Sequence, residues 1–149
     1  RFEACGETRF LPNLDAMICR ANLRMDNDEA VDEWYRERAP RKPQQFWTMK
    51  RYQYFTQAMV ELAFGDEETA LLTLAPLEPY CKICSRYIDS IYLDVLSSIA
   101  FCRLGDKRWR QKLCDALDIA VSFGFFRPVA QYGAAILPLL ESCGWDGRS

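Results

Sequence analysis

Cys81 and Cys84 form the one local motif whose spacing suits known chemistry, either a redox pair or half of a zinc site. A redox pair of this type normally follows a strand and opens a helix, whereas two prolines and a predicted helix end precede Cys81. A zinc site needs two more ligands, which Cys5 or Cys102 would supply only through the fold. We therefore predict a structural role for the pair, with a metal or redox site as the alternative.

Histidine is absent from the sequence, which excludes Ser-His-Asp and Cys-His catalysis and any histidine-based metal site. Neither the Gly-rich phosphate loop of nucleotide hydrolases nor the Gly-x-Gly-x-x-Gly dinucleotide motif occurs. The carboxylates are scattered over predicted helix surfaces and turns, and no pair of them calls for acid–base catalysis. The sequence predicts that the chain is not an enzyme and that it carries no cofactor.

The composition is that of one globular domain, because 50% of the 149 residues are hydrophobic. A formal net charge of −2 argues against a protein that binds nucleic acid by itself, since such proteins normally carry a basic face. No apolar run reaches the ~20 residues of a membrane span, so no membrane association is predicted. Seven cysteines without a secretory signal indicate reduced thiols and a cytoplasmic location. The chain starts at Arg1 rather than at a methionine, and we expect it to be part of a longer protein.

Apolar residues recur at helical spacing along the chain, and no segment alternates in the manner of a strand. The pattern predicts an all-α fold of about seven helices, arranged as one domain over residues 11–143 between a frayed start at 1–10 and a tail at 144–149. The predicted hairpins cover about 11–39, 44–80 and 86–123, and a closing helix covers 126–142.

Helix starts and stops are indicated by capping residues and prolines. Asn13 is a predicted N-cap, Gly65 a predicted helix end, and Asp66 the predicted cap of the next helix. Pro76 and Pro79 predict a stop or a kink in that next helix. In the first helix the residues whose spacing predicts the buried face are Leu14, Met17, Ile18, Ala21 and Met25.

Evenly spaced turns indicate an internal repeat. The interval from Asp26 to Gly65 is 39 residues and that from Gly65 to Gly105 is 40 residues. A fixed period of this size is typical of stacked helical hairpins, as in the tetratricopeptide superhelix with its shorter repeat of ~34 residues. Ala58 and Ala70 lie where the two helices of a hairpin are expected to cross closely.

Stacked hairpins leave a concave surface lined by the first helix of each pair, here residues 44–64 and 86–104. Aromatic and basic side chains on these two helices predict a groove for a ligand or partner, although an aromatic residue at helical spacing is more often part of the core. The candidate groove residues are Trp47, Tyr52, Phe55, Tyr92 and Arg103. Arg103 is the residue suited to an anionic ligand.

The segment 113–129 resembles the end of the helical-repeat region in large ATP-dependent LuxR-type transcriptional regulators. The signature in that family consists of leucine, alanine-leucine and alanine positions followed by Gly-Phe-x-Arg-Pro. The residues that carry it here are Leu113, Ala116, Leu117, Ala120, Gly124, Phe125, Arg127 and Pro128.

This resemblance implies a sensor and oligomerisation domain between a nucleotide-binding domain and a helix-turn-helix. Such a domain binds a small-molecule inducer or a protein partner, contacts DNA only through the flanking helix-turn-helix, and has the capacity to self-associate. The alternative is a stand-alone tetratricopeptide-type adaptor that binds other proteins.

Overall fold

The structure is a computed structural model, and it describes residues 10–40 and 46–144. All regular secondary structure in these two ranges is helical. The all-α prediction is therefore confirmed. The helices of the described ranges are α1 (Leu11–Arg24), α2 (Asp28–Glu37), α3 (Arg51–Ala63), α4 (Glu67–Leu74), α5 (Leu77–Ile83), α6 (Tyr87–Arg103), α7 (Arg108–Phe123), α8 (Arg127–Ala130) and α9 (Gly133–Ser142). Among them, none combines the length and the apolar character that crossing a bilayer requires.

Helix α1 begins two residues earlier than its predicted N-cap. Pro12 lies in the first turn, where the missing N–H costs nothing because that group has no partner within the helix. Asn13 is therefore inside α1 and not its cap, which corrects the prediction. Its side chain instead contacts α3, where Gln53 Nε2 donates to Asn13 Oδ1 at 3.2 Å.

The long helix predicted over residues 44–64 is shorter than expected. Residues 44 and 45 lie outside the described ranges, Trp47 has an extended backbone, Thr48–Lys50 form a 3-10 turn, and α3 begins at Arg51. The Phe46 ring lies 5.3 Å from that of Tyr54 and 5.5 Å from that of Tyr80, measured between centroids. The apolar character of this segment thus comes from packing between α3 and α5, not from a helical face.

The boundaries after α3 follow local capping chemistry. The Asp66 carboxylate accepts a hydrogen bond from the Thr69 N–H at 3.1 Å, so the predicted cap of α4 is present. Helix α4 ends at Leu74, and Pro76 directly precedes a separate short helix, α5, which extends beyond the predicted hairpin end at residue 80. The prolines therefore stop the helix. The predicted closing helix over 126–142 is likewise two helices, α8 and α9.

Five of the described helices end with the same backbone conformation. Asp26, Gly65, Ser85, Gly105 and Gly124 all have positive φ, between 48° and 78°. After each of them the next N–H donates to the carbonyl five residues earlier, as in the bond from Asp66 N to Glu61 O at 2.9 Å. This is the Schellman motif, in which a left-handed residue closes the helix. Four of these stops are evenly spaced, at positions 65, 85, 105 and 124.

Helix α6 is the centre of the core, because it packs against α3, α4, α5, α7, α8 and α9. Helix α1 packs against α2 and α3, and a second, smaller cluster of buried side chains joins these three helices. Consecutive helices pair as α1 with α2, α3 with α4, and α6 with α7. The superhelical repeat itself stays a prediction.

A carboxyl group is buried where α2, α3 and α4 meet. Glu61 is only 2% exposed, and its Oε1 accepts hydrogen bonds from Tyr35 Oη at 3.0 Å and Gln57 Nε2 at 2.7 Å. Burial raises the pKa of Glu61 because removal from water penalises the charged form, and the donated hydrogen bonds offset this only in part. The folded protein therefore favours protonated Glu61 relative to the unfolded chain.

Glu61→Gln is expected to raise the free energy of unfolding at pH 7–8. The gain is on the order of 1 kcal/mol for each unit by which the pKa of Glu61 in the folded protein exceeds its pKa in the unfolded chain. The unfolded side chain titrates near 4.5, below the folded side chain, so ionisation of Glu61 lowers the stability of the parent as pH rises from 4.5, and Glu61→Gln removes this contribution. Urea unfolding of both proteins from pH 4 to 8 checks this. The exposed Glu33→Gln is the control, and a constant difference between parent and Glu61→Gln at all pH values contradicts the prediction.

Candidate ligand-binding groove

An open groove of about 540 Å³ lies where α1, α3 and α6 meet the segment that follows α7. One wall is a single face of α1, whose lining residues follow the i, i+3, i+4, i+7 spacing of a helix. The described residues that line the groove are Met17, Arg20, Ala21, Arg24, Tyr52, Ile88, Tyr92, Gly124, Phe125, Phe126, Arg127, Pro128 and Gln131. A volume of this size is in the range of small-molecule sites.

Arg20 is held rigidly at the base of the α1 wall. Its Nε donates to Thr56 Oγ1 at 2.8 Å, and its Nη2 donates to the Tyr52 carbonyl oxygen at 3.3 Å. The guanidinium carbon lies 3.8 Å from the centroid of the Tyr52 ring, a cation–π arrangement. Thr56 Oγ1 also donates to the Tyr52 carbonyl oxygen at 2.8 Å, which fixes the acceptor for Nε. The side chain of Arg20 is thus positioned by α3.

The charge on Arg20 is buried, and no acidic residue in the described part of the chain compensates it. The residue is 7% exposed, and its two hydrogen-bond acceptors are neutral. Burial lowers the pKa of Arg20, and the neighbouring positive charge of Arg24 acts in the same direction. Within residues 10–40 and 46–144, Arg20, Arg24 and Arg127 take part in none of the ion pairs.

Aromatic and aliphatic side chains form the remaining surface of the groove. Ile88 and Phe126 are about half exposed, at 45% and 50%. Tyr92 is supported from behind by buried Phe55, with ring centroids 5.7 Å apart. The Phe125 ring stacks on the ring of Phe123, with the two centroids 5.8 Å apart. The groove therefore combines a positive wall with an apolar, partly aromatic one.

The five predicted groove residues do not all lie here. Tyr52 and Tyr92 line the groove, and Phe55 lies behind Tyr92 in the core. Trp47 is 62% exposed in the extended segment before α3, outside the groove. Arg103 is at the end of α6, where its Nη1 donates to the Leu62 carbonyl oxygen at 2.6 Å and pairs with Glu67. Arg103 thus ties α6 to the α3–α4 turn.

The charged residues of the groove, Arg20, Arg24 and Arg127, are not among the predicted groove residues. The reason lies in α1, whose predicted buried face is wrong. The side chains of Met17 and Ile18 are 55% and 53% exposed, and the buried ones, at 0–7% exposure, are Ala16, Cys19 and Arg20. A basic residue repeated at Arg20 and Arg24 on one helix face was the available signal.

The Cys81–Cys84 pair is split between two environments. Cys81 is buried, and burial raises the pKa of its thiol to about 11, whereas Cys84 is exposed. A buried, protonated thiol is a poor nucleophile and a poor metal ligand, which favours the structural interpretation of the pair. Cys102 is partly exposed on α6, and Cys5 lies outside the described residues. Across the described ranges, no group of three or more cysteine, aspartate or glutamate side chains is arranged to hold a metal ion.

The fold and the groove together define an all-α protein with an arginine-rich, partly aromatic recess between α1 and the segment from Gly124 to Gln131. Comparisons with models of protein families, with curated proteins and with solved structures find no match to this chain.

Proposed function

We propose that this chain is a non-catalytic, effector-sensing domain of a LuxR-type transcriptional regulator and that the groove is its sensing site. The observation that carries the proposal is the position of the segment on which the family resemblance rests. Gly124, Phe125, Arg127 and Pro128, which close the signature, all line the groove. The part of the sequence most like the regulators is thus part of the candidate binding site.

The groove also suits a sensor because its walls come from segments that are far apart in the described chain, α1 and the segment from Gly124 to Gln131. An effector there contacts α1 on one side and α8 on the other. Helix α8 has only four residues and is separated from α9 by a break at Gln131 and Tyr132. A ligand that binds one arrangement of α8 and α9 more tightly than another shifts the equilibrium between them in proportion to that difference. Such a shift is the proposed signal to the flanking ATPase and DNA-binding domains, and self-association is one proposed consequence of it.

The gene that encodes this chain provides the first test. We expect a phosphate-loop domain upstream of the segment and a helix-turn-helix downstream of it in the same reading frame. A gene that encodes neither domain overturns the regulator proposal.

A second test examines the groove in the full-length protein, with a reporter fused to a promoter that the protein occupies in cells. Ile88→Arg, which places a bulky charge in the groove, is expected to weaken effector binding about tenfold, equivalent to ~1.4 kcal/mol, so half-maximal induction of the reporter requires about ten times more effector. Ile83→Arg is the matched control, because Ile83 is 82% exposed on α5 and lies outside the groove lining. Normal induction in the Ile88→Arg strain contradicts the proposal.

A stand-alone adaptor is the second candidate, and one observation favours it. Helix α1 exposes an apolar strip that includes Leu14, Met17 and Ile18, each at least 40% exposed. Exposed apolar strips of this kind mark protein interaction sites. The adaptor requires no flanking ATPase or DNA-binding domain, so the gene comparison separates the two candidates.

A further inference from the structure

The charge in the groove differs from that of the chain as a whole. The full sequence has 21 aspartates and glutamates against 19 lysines and arginines. The groove lining, by contrast, includes Arg20, Arg24 and Arg127 but no described acidic residue. The groove is therefore positively charged although the chain as a whole has a net negative charge.

These three arginines also differ from most arginines of the described chain in having no acidic partner. Elsewhere in those ranges arginine–carboxylate pairs form at separations of 2.6–3.5 Å. They are Arg36–Asp32, Arg38–Asp15, Arg51–Asp89, Arg86–Asp89, Arg103–Glu67 and Arg108–Asp106. Within residues 10–40 and 46–144, no carboxylate pairs with the positive charge of the groove.

Burial of Arg20 adds a free-energy cost to this unpaired positive charge. A guanidinium group has five N–H donors, and Arg20 uses two of them, toward Thr56 Oγ1 and the Tyr52 carbonyl oxygen. A buried charge is normally paired, because its removal from water is otherwise uncompensated. An anion in the groove supplies the missing charge and accepts from the remaining donors.

The rest of the lining determines what else the anion must carry. Met17, Ile88 and Phe126 expose apolar surface beside the arginines, at 55%, 45% and 50%. An inorganic ion leaves this surface in water, whereas an apolar or aromatic body attached to the anion covers it. Burial of such a body therefore adds to the affinity for the anion.

We propose that the groove binds a small organic acid, with its anionic group at Arg20, Arg24 and Arg127 and its apolar or aromatic body against Ile88 and Phe126. Carboxylates and phosphates share the recognition chemistry, because the arginine fork bonds either of them through two oxygens. This inference rests on the proposed function only in taking the groove as the sensing site.

The test uses two fluorescent probes of similar shape, anionic 8-anilinonaphthalene-1-sulfonate and neutral N-phenyl-1-naphthylamine, titrated into the 149-residue chain. Arg24→Gln/Arg127→Gln is expected to weaken binding of the anionic probe at least tenfold and binding of the neutral probe less than twofold. Both arginines are exposed and unpaired, so the double variant is expected to fold. Arg110→Gln is the control, since Arg110 is also exposed and in none of the described ion pairs but lies outside the groove lining, beside the Trp109 ring.

Arg20→Lys is a second variant, because the double variant also removes two positive charges and so weakens the general attraction of the protein for any anion. Lysine keeps the charge but not the planar fork, so a severalfold loss of affinity for the anionic probe is expected. Equal affinity of the parent and the double variant for the anionic probe overturns the inference, as does equal affinity of the parent for both probes.

Ile88→Arg separates this inference from the proposed function. If Ile88→Arg abolishes binding of the neutral probe while the arginine variants leave the anionic probe unaffected, the groove remains the sensing site and its ligand is not an acid. If Ile88→Arg leaves the binding of both probes unchanged, the groove is not the site, and both proposals are overturned.

Discussion

Leu74→Ala is expected to lower the free energy of unfolding by about 2–5 kcal/mol. Leu74 is 1% exposed on α4 and belongs to the main core cluster. Removal of its branched side chain leaves a cavity between helices that are already close-packed. Because α4 packs against both α3 and α6, the surrounding side chains have little freedom to fill that cavity.

Leu72→Ala is the matched control, since Leu72 lies two positions away on the same helix and is 65% exposed. The same change of side chain there is expected to alter the free energy of unfolding by less than about 0.5 kcal/mol. Chemical denaturation of the two variants and the parent at neutral pH gives the comparison. Equal destabilisation of the two variants contradicts the assignment of the inner face of α4.

Ala58→Leu is expected to destabilise the fold by about 1–3 kcal/mol through overpacking. Ala58 on α3 has no exposed surface, and neither has Ala70 on the facing helix α4. A larger side chain at Ala58 must displace α4 or adopt a strained conformation. Alanine to leucine costs little in intrinsic helix propensity, so the loss measures packing rather than helix formation.

Ala63→Leu on the same helix supplies the comparison for this second substitution, because Ala63 is exposed. Thermal unfolding is expected to show a melting temperature close to that of the parent for Ala63→Leu and a clearly lower one for Ala58→Leu. A melting temperature for Ala58→Leu within error of the parent is inconsistent with a close approach of α3 and α4.

Features determined by a few neighbouring residues were predictable from the sequence. The Asp66 cap needs only the N–H of Thr69, and the stop at Gly65 needs only a residue that tolerates positive φ. The stop before Pro76 follows in the same way from the geometry of proline. These signals act within one turn of a helix, so no knowledge of the tertiary fold is required to interpret them.

Features determined by contacts between distant segments were not predictable in this way. The buried face of α1 includes Arg20, because Thr56 and Tyr52 on α3 supply hydrogen-bond acceptors and an aromatic ring for it. Apolar spacing alone cannot anticipate a buried arginine. The groove is a stronger example, since its walls come from α1, α3, α6 and the segment after α7. Only Tyr52 and Tyr92 were identified beforehand, because both lie on the helices expected to line a concave surface.

The left-handed stops at positions 65, 85, 105 and 124 have a consequence for how this protein tolerates change over evolutionary time. Helices α3, α5, α6 and α7 each end through a left-handed residue and their own carbonyls, without help from the helix that follows. The residues of a segment between two such helix ends therefore determine by themselves where its last helix ends. Duplication or loss of such a segment leaves the termination of its neighbours intact, whereas insertion of a few residues inside a helix rotates its buried face away from the core.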